Sequence, residues 1–267
     1  MADISVDLLS HVVRIARRAG DEILSIYDSD IEVEYKGDES PLTQADKSSN
    51  DLIIRELDSL DLGYPILSEE GKTIPFAQRK TWHRYWLIDP LDGTKEFIKK
   101  NGEFTVNIAL VENGQTILGV VYAPVLDVCY YAAKGLGAHK QTSDLDSNPI
   151  AVRRYQEGEV WNVVASRSHL SAETEALVAK LGSSEFVSMG SSLKLCLVAE
   201  GSAHLYPRLA PTSEWDTAAA QCIVEQAGGK VVTPELIPLQ YNTKDSLLNP
   251  HFIVCYDVED AWSKYLN

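Results

Sequence analysis

The sequence predicts a mixed fold in which an α+β half is followed by an α/β half. Two long segments, at 5–27 and 46–60, place apolar residues at helical spacing. Three apolar runs with Gly or Pro between them then occupy 104–111, 117–123 and 127–133, which favours antiparallel strands. From residue 160 onward strand-like and helical segments alternate, which is typical of an α/β arrangement.

The first helical pattern repeats apolar residues such as Val6, Leu9 and Val13 and also carries arginines. We expect this helix to pack on the core, and a helix lying on a membrane surface is the alternative. The N-terminal residues lack the pattern of a signal peptide. No run of about 18 apolar residues is present, so no membrane-spanning helix is expected.

The α/β half is expected to begin after Gln141–Pro149, a stretch rich in Ser, Asp and Asn that predicts a loop or a boundary. This divides the chain into residues 1–148 and residues 149–267. The predicted strands of the second part are 160–165, 185–188, 203–206 and 252–255, and its predicted helices are 171–181, 191–200 and 216–227.

The most informative segment is Trp86–Phe97, with the sequence WLIDPLDGTKEF. Its apolar run meets Pro and Gly, which predicts that Asp89 and Asp92 lie at the C-terminal end of a strand. Gly93 permits a sharp turn, and Thr94 is predicted to cap a following helix. Two carboxylates, loop carbonyls and a helix N-terminus together suit Mg²⁺ and a phosphate group.

Two other interpretations of this segment exist. Asp-Pro and Asp-Gly pairs are common in ordinary turns. The segment also invites comparison with the Asp-x-Asp-Gly-Thr motif of aspartyl-phosphate phosphatases. Here the spacing Asp89-Pro-Leu-Asp92 is one residue longer, which changes where the second carboxylate points. A metal-binding pair is therefore preferred.

Three more acidic positions follow the same logic. Glu69 and Glu70 come after a short apolar strand, Asp216 opens a helical pattern, and Asp46 precedes another. Each has a structural alternative: solvated loop glutamates for the first pair, a helix cap for Asp216 and a first-turn acid for Asp46.

Taken together, three strings resemble the inositol monophosphatase superfamily of Mg²⁺-dependent, lithium-sensitive phosphatases. They are Leu67–Glu70 (LSEE), Asp89–Thr94 (DPLDGT) and Trp215–Ala219 (WDTAA), in the family's order. The resemblance extends over nearly the whole chain. It implies a layered α-β-α-β-α sandwich, of the inositol monophosphatase and fructose-1,6-bisphosphatase type, with the site between the two halves.

The resemblance also implies a role for each residue. Glu69, Asp89 and the Leu91 carbonyl would hold a first Mg²⁺, and Asp89, Asp92 and Asp216 a second. Two such ions can clamp the attacking and leaving oxygens of a phosphoryl transfer.

The water and the substrate are assigned in the same way. Thr94 and Asp46 would position and deprotonate the attacking water. The residues expected to contact the substrate are Glu69, Leu91, Asp92, Gly93, Thr94, Ser168, His169, Ser191, Lys194, Arg208 and Asp216.

Substrate choice depends on the second half of the chain. Ser168 and His169 follow a predicted strand, Ser191 and Lys194 open a predicted helix, and Arg208 follows another strand. These residues predict a second anion pocket, with ordinary surface polar residues as the alternative.

The strings GSSLKLCLVAEG, LYPR and PLTQADK resemble the 3′(2′),5′-bisphosphate nucleotidase branch of the superfamily. That branch implies conversion of 3′-phosphoadenosine 5′-phosphate to AMP during sulfate assimilation. Lys194 and Arg208 would then lie near the 5′-phosphate. Ser168, His169 and Ser191 would contact phosphate or nucleoside.

Composition limits the partners and the compartment. The chain has 267 residues, 45% of them hydrophobic, and a formal net charge of −15, which argues against a nucleic-acid polymer as partner. Its four cysteines include no CxxC pair and lie in apolar contexts, which predicts buried thiols in a reducing compartment. We expect a cytoplasmic protein, with peripheral attachment to the inner membrane as the alternative. Monomer and homodimer both remain open.

Two other functions also remain open. A phosphatase for inositol monophosphate or another sugar phosphate would use the same metal site. A non-enzymatic sensor of Mg²⁺ or nucleotide would use a degenerate site. The complete set of six expected metal and water residues argues against the sensor, because decayed sites lose ligands.

Overall fold

The structure is a computed structural model that describes residues 4–28, 33–35, 41–144, 146–165, 172–259 and 262–263. The helices within these residues are α1 (Val6–Tyr27), α2 (Gln44–Asp58), α3 (Phe76–Arg79), α4 (Thr94–Ile98), α5 (Ala172–Lys180), α6 (Leu193–Ala199) and α7 (Glu214–Gln226). The first eight strands are β1 (Val33–Tyr35), β2 (Pro41–Thr43), β3 (Ile66–Ser68), β4 (Arg84–Asp92), β5 (Thr105–Glu112), β6 (Gln115–Ala123), β7 (Val128–Ala133) and β8 (Gly137–Gln141). The other six are β9 (Ser147–Pro149), β10 (Trp161–Ala165), β11 (Ser184–Ser188), β12 (Leu205–Arg208), β13 (Lys230–Val232) and β14 (Phe252–Cys255).

The first half of the chain builds a seven-stranded sheet in the order β3-β4-β5-β6-β7-β8-β9. All neighbours are antiparallel except β3 and β4, which run parallel. The three apolar runs of the sequence correspond to β5, β6 and β7, so their predicted antiparallel pairing is confirmed. Strands β1 and β2 form a separate two-stranded sheet.

The second half builds a five-stranded sheet in the order β11-β10-β12-β14-β13. Strand β10 runs parallel to β11 and β12, whereas β14 is antiparallel to both of its neighbours. The predicted alternation of strands and helices is confirmed. The short elements β1, β2, α3, β8 and β13 were not predicted, because three to five residues are too few to show a period.

The two sheets and the helices form five layers, as expected from the family resemblance. Apolar residues of α1 and α2 pack on one face of the large sheet. Helices α6 and α7 lie between the two sheets and share a core with both. Helix α5 packs on the outer face of the small sheet through Val178, beside Trp161 and Val163. The predicted sandwich is therefore observed.

Helix α7 lies unusually close to the large sheet. A Cβ at Gly119 in β6 would come within 2.1 Å of the Ala219 carbonyl oxygen, so only glycine fits there. Ala218, Ala219 and Ala220 are all fully buried at this contact. Small residues on both elements thus let α7 approach the large sheet closely. This approach brings the start of α7 near the end of β4.

Helix α1 packs on the core, as predicted, with Leu9, Val12 and Ile23 buried. Arg17 on its other side donates to Asp127 at 2.7 Å and to Gln141 at 3.0 Å. None of the helices in the described ranges combines the length and the apolar character needed to cross a membrane.

The stretch Gln141–Pro149 differs from the predicted loop in one respect. Strand β9 within it pairs with β8 and adds a final strand to the large sheet. The division of the chain at residues 148 and 149 stays a prediction. All four cysteines are buried free thiols, as expected.

Candidate metal and phosphate site

Three carboxylates meet where β4 ends and α7 begins. Asp89, Asp92 and Asp216 each place one carboxylate oxygen within 4.8 Å of the others, and we call these three residues the acid cluster. Asp89 and Asp92 come from the last four residues of β4, as the sequence predicts. Asp216 is the third residue of α7. Residues more than 120 positions apart in sequence are thus brought to one point.

An irregularity in β4 allows both of its aspartates to face the site. The register with β5 shifts between Asp89 and Asp92, which is a bulge on the strand. Pro90 has no N–H to donate to the ladder, and its carbonyl instead accepts from Ser49 Oγ at 2.7 Å. The Leu91 N–H turns back to Asp89 Oδ1 at 3.1 Å.

The turn after β4 corrects one prediction. Gly93 adopts φ 94° and is the N-cap of α4, whereas Thr94 is the first helical residue. The prediction that Thr94 caps this helix is therefore wrong. Its hydroxyl donates instead to Asp46 Oδ1 at 3.1 Å, across 48 residues of sequence. Thr94 and Asp46, which were predicted to act together, are thus in contact.

Asp46 and Asp216 occupy equivalent positions in their helices. Each is the acid of a capping box, in α2 and α7 respectively. Asp46 Oδ2 accepts from the Thr43 N–H at 2.7 Å, and Asp216 Oδ2 accepts from the Ser213 N–H at 2.8 Å. The capping interpretation of Asp216 and the first-turn interpretation of Asp46 are therefore correct. Neither excludes a site role, because the cap hydrogen bonds use Oδ2 and leave the second carboxylate oxygen of each residue available.

Burial and mutual repulsion disfavour the charged form of the acid cluster. The pKa of Asp89 is raised well above its usual value by burial and then by Glu69, Asp92 and Asp216. The pKa of Asp216 is raised well above its usual value by burial and by Asp92. Burial raises the pKa of Asp92 to about 6, against the opposing effect of Lys194 and the Ser192 N–H. Without a cation, keeping these carboxylates ionised at neutral pH therefore costs free energy.

Glu69 lies beside the acid cluster. It forms a side-chain hydrogen bond with Asp89 and acts electrostatically on Asp92 and Asp216. Its N–H donates to the Ile88 carbonyl at 3.2 Å, which fixes it next to β4. All four groups offer hard carboxylate oxygens, and none of the four is a His or Cys. This donor chemistry fits Mg²⁺ better than a soft metal.

Opposite the acid cluster lie two basic residues, Lys194 and Arg208, which we call the cationic pair. They share a cavity of about 180 Å³ with Asp92, Asp216 and Ser191. Burial lowers the pKa of Lys194, and Arg208 lowers it further against the opposing effect of Asp92. Lys194 Nζ donates to the Met189 carbonyl at 3.4 Å and Arg208 Nη2 to the Pro211 carbonyl at 3.2 Å.

Two residues that line this cavity have polar atoms that can still form hydrogen bonds. Ser191 Oγ and Arg208 Nε are buried and have no hydrogen-bond partner among the described residues. Ser191 also adopts φ 43°, a left-handed conformation that is uncommon for serine. Buried polar groups and strained backbone of this kind are found more often at binding sites than elsewhere.

Sequence reasoning missed three polar residues that form a hydrogen-bonded group next to Asp92. The Ser192 N–H donates to Asp92 Oδ2 at 2.6 Å, and Ser192 Oγ donates to Asn107 Oδ1 at 2.8 Å. Thr105 Oγ1 lies 2.8 Å from Ser192 Oγ. One signal was available: Asn107 is an amide inside the apolar run of β5 and is fully buried.

Most of the predicted site residues converge in this region. Asp89, Asp92 and Asp216 form the acid cluster, Glu69 contacts Asp89, and Thr94 contacts Asp46. Four further predicted residues line the adjoining cavity: Gly93, Ser191, Lys194 and Arg208. The Leu91 side chain is buried in the core. Ser168 and His169 lie outside the described residues. The assigned roles stay predictions.

The fold and site define a class of protein. Residues 6–260 match the inositol monophosphatase family, and the chain belongs to that family. It is similar to the 3′(2′),5′-bisphosphate nucleotidase CysQ of Salmonella typhimurium, with 48% identity over 255 residues that cover 92% of this chain and 99% of that protein.

Solved structures give the same result. The crystal structure of CysQ from Bacteroides thetaiotaomicron, a bacterial member of the family, is 43% identical with a TM-score of 0.82, covering 93% of this chain and 97% of that one. The Thermotoga maritima IMPase is 25% identical with a TM-score of 0.80, covering 98% of this chain and 97% of that one. The resemblance inferred from the motifs is confirmed.

Proposed function

We propose that this chain is a 3′(2′),5′-bisphosphate nucleotidase that removes the 3′-phosphate of 3′-phosphoadenosine 5′-phosphate and yields AMP and phosphate. The observation that carries the proposal is the presence of two oppositely charged groups in one small cavity. The acid cluster suits a metal-bound phosphate, and the cationic pair suits a second phosphate on the same molecule. The relatives with 36–48% identity carry the nucleotidase name.

The acid cluster and Glu69 would hold Mg²⁺, with the Leu91 carbonyl as a further oxygen ligand. When bound, Mg²⁺ lowers the pKa of a coordinated water and neutralises charge on the phosphate oxygens. The structure supports this assignment through the donors themselves, which are buried carboxylates whose repulsion a divalent cation would relieve.

Thr94 and Asp46 supply the proton transfer in this proposal. The Thr94 hydroxyl donates to Asp46 Oδ1, so its own oxygen is free to accept a hydrogen bond from the attacking water. Burial raises the pKa of Asp46, which makes its carboxylate a stronger base than an exposed aspartate. Its Oδ2 is fixed by Thr43, so the base keeps its orientation.

The cationic pair and Ser191 position the substrate. Lys194 and Arg208 would bind the 5′-phosphate, and Ser191 Oγ, which has no partner among the described residues, would add a hydrogen bond. A sugar monophosphate has no second phosphate to place there. We therefore expect the enzyme to prefer the adenosine bisphosphate over inositol 1-phosphate.

The decisive experiment measures Mg²⁺-dependent phosphate release from 3′-phosphoadenosine 5′-phosphate, inositol 1-phosphate and fructose 1,6-bisphosphate, with and without lithium. Strong preference for the adenosine bisphosphate supports the proposal. Preference for inositol 1-phosphate would keep the metal chemistry and overturn the assigned specificity. No release from any of the three would instead favour a sensor.

We also place the enzyme in the cytoplasm, because its four buried cysteines remain free thiols, as they do in a reducing compartment. Both a monomer and a homodimer are compatible with the proposed function. Activity measured across the concentration range in which a dimer would dissociate shows which form is active.

A further inference from the structure

Glu214 is a buried charged residue that neither the metal assignment nor the substrate assignment uses. It is the first residue of α7, two positions before Asp216, and its side chain has no exposed surface. Charged side chains are rarely buried to this extent unless they are paired or hydrogen-bonded. The contacts of Glu214 therefore indicate what it does.

Both ends of Glu214 are bound to the segment Tyr241–Asn249, which we call the clasp segment. Its N–H donates to the Leu247 carbonyl at 2.8 Å. Its side-chain Oε2 accepts from the Asn242 N–H at 2.8 Å. The other oxygen, Oε1, lies 3.8 Å from Lys244 Nζ and accepts no hydrogen bond from the described residues.

The clasp segment holds the same turn of α7 at further points. Asn249 Nδ2 donates to the Ser213 carbonyl at 2.7 Å and to Thr217 Oγ1 at 3.0 Å. Tyr241 also contacts Thr217, its hydroxyl lying 3.1 Å from Thr217 Oγ1. This turn is the one whose capping box fixes Asp216 Oδ2. Any rotation of the turn would therefore move Asp216 relative to Asp89 and Asp92.

The clasp segment is in turn fixed by a buried arginine. Arg79 in α3 is 1% exposed, and its Nη1 donates to Asn242 Oδ1 at 2.6 Å. Asn242 Nδ2 returns a hydrogen bond to the Arg79 carbonyl at 2.7 Å. Arg79 and Glu214 are thus joined through one asparagine in the interior, where burial raises the pKa of Glu214 to about 7. Hydrogen bonds among such buried groups are costly to break, because a donor or acceptor left without a partner stays desolvated.

We propose that Glu214 is a positioning residue for the metal site, which holds the first turn of α7 against the clasp segment and so fixes Asp216 toward Asp89 and Asp92. The inference rests on the proposed metal site and extends it to a residue that touches neither metal nor substrate. The hydrogen bond that Glu214 accepts from the Asn242 N–H is essential to it, because this bond ties the first turn of α7 to the clasp segment.

The test compares Glu214→Ala with Glu225→Ala in the full chain. Glu225 is a half-buried carboxylate near the other end of the same helix, where it accepts from Gln221 at 2.8 Å, and it is remote from the acid cluster. The measurement is a Mg²⁺ titration of the thermal unfolding temperature, without substrate, followed by kcat and KM as functions of Mg²⁺ concentration.

We expect Glu214→Ala to raise the half-saturating Mg²⁺ concentration roughly tenfold, as is usual when a group that orients a metal ligand is changed. KM for the nucleotide should stay within about twofold at saturating Mg²⁺, since Glu214 does not touch the cationic pair. Glu225→Ala should leave the Mg²⁺ dependence unchanged. Equal shifts in the two variants, or no shift in Glu214→Ala, would overturn the inference.

A second variant covers the case in which Glu214→Ala does not fold. Asn242→Ala removes the side chain that connects to Arg79 but keeps the backbone N–H that donates to Glu214. We expect a smaller shift in the same direction, and an unchanged Mg²⁺ dependence would count against the inference. If wild type is stabilised by Mg²⁺ but hydrolyses no phosphate ester, the proposed function fails while the role of Glu214 is still tested.

Discussion

The acid cluster and the cationic pair adjoin one cavity, which Asp92 and Asp216 line together with Lys194 and Arg208, but the two groups are built in different ways. Asp89, Asp92 and Asp216 are each held by backbone N–H groups at 2.6–3.1 Å, from Leu91, Ser192 and Ser213. Lys194 and Arg208 are long side chains, and each donates to a carbonyl at 3.2 Å or more. The first group has its geometry fixed by secondary structure, whereas the second can adjust its position.

This difference corresponds to the two tasks that we assign. Metal coordination needs oxygens at fixed positions, which a strand bulge and a helix cap provide. Recognition of a second phosphate needs charge within reach and tolerates some movement. Burial also works in opposite directions, since it raises the pKa of the carboxylates and lowers that of Lys194. In both groups burial therefore favours the neutral form of the side chain.

The largest expected effect comes from Asp89→Asn, which removes the carboxylate shared by both proposed metal positions. Because bound metal supplies several kcal/mol to the reaction, kcat should fall about a thousandfold or more. The metal-free protein should unfold at the same temperature as wild type or higher, since a buried repulsive charge has been removed. Calorimetry and phosphate release measure the two effects. Near-normal activity would contradict the assigned metal site.

A smaller and more selective effect is expected from Arg208→Ala in the cationic pair. Hydrogen bonds to charged groups contribute about 1.5–3 kcal/mol, so KM for the adenosine bisphosphate should rise about 10- to 100-fold. KM for a nucleoside 3′-monophosphate should change far less. Arg154→Ala, which truncates an exposed arginine that contacts Tyr256, is the matched control. Equal effects on both substrates would show that Arg208 does not read the second phosphate.

The smallest effect concerns stability and pH. Asp92 has a pKa of about 6 in the folded chain, against about 3.9 in an unfolded one, so the folded state binds more protons between these values. The metal-free protein should therefore lose stability as pH rises through this range. Mg²⁺ binds the ionised carboxylates and should remove this loss.

Unfolding temperatures in chelator and in Mg²⁺, at about pH 5.5 and about pH 8, test this expectation. The stabilisation by Mg²⁺ should be larger at the higher pH. The same stabilisation at both pH values would show that the acid cluster does not titrate as described. In Asp89→Asn the difference between the two pH values should shrink.

The motifs identified the family and most of the candidate residues, but not how they are held. Asp89 and Asp92 could be placed at a strand end because apolar runs that meet Pro and Gly stop there. The bulge that turns both toward one point could not be foreseen, since it depends on pairing with β5. The contact of Thr94 with Asp46 was also out of reach, because local propensity favoured a cap.

The sequence alone determined the types of element, the order of the acidic motifs and the chemistry that hard oxygen ligands can support. These follow from local periodicity and residue type, which act over a few positions. Only the tertiary structure decided that Ser192 binds both Asp92 and Asn107, and that Glu214 is joined through Asn242 to Arg79. Such contacts join residues 28–163 positions apart, and their partners are chosen by how sheets and helices pack.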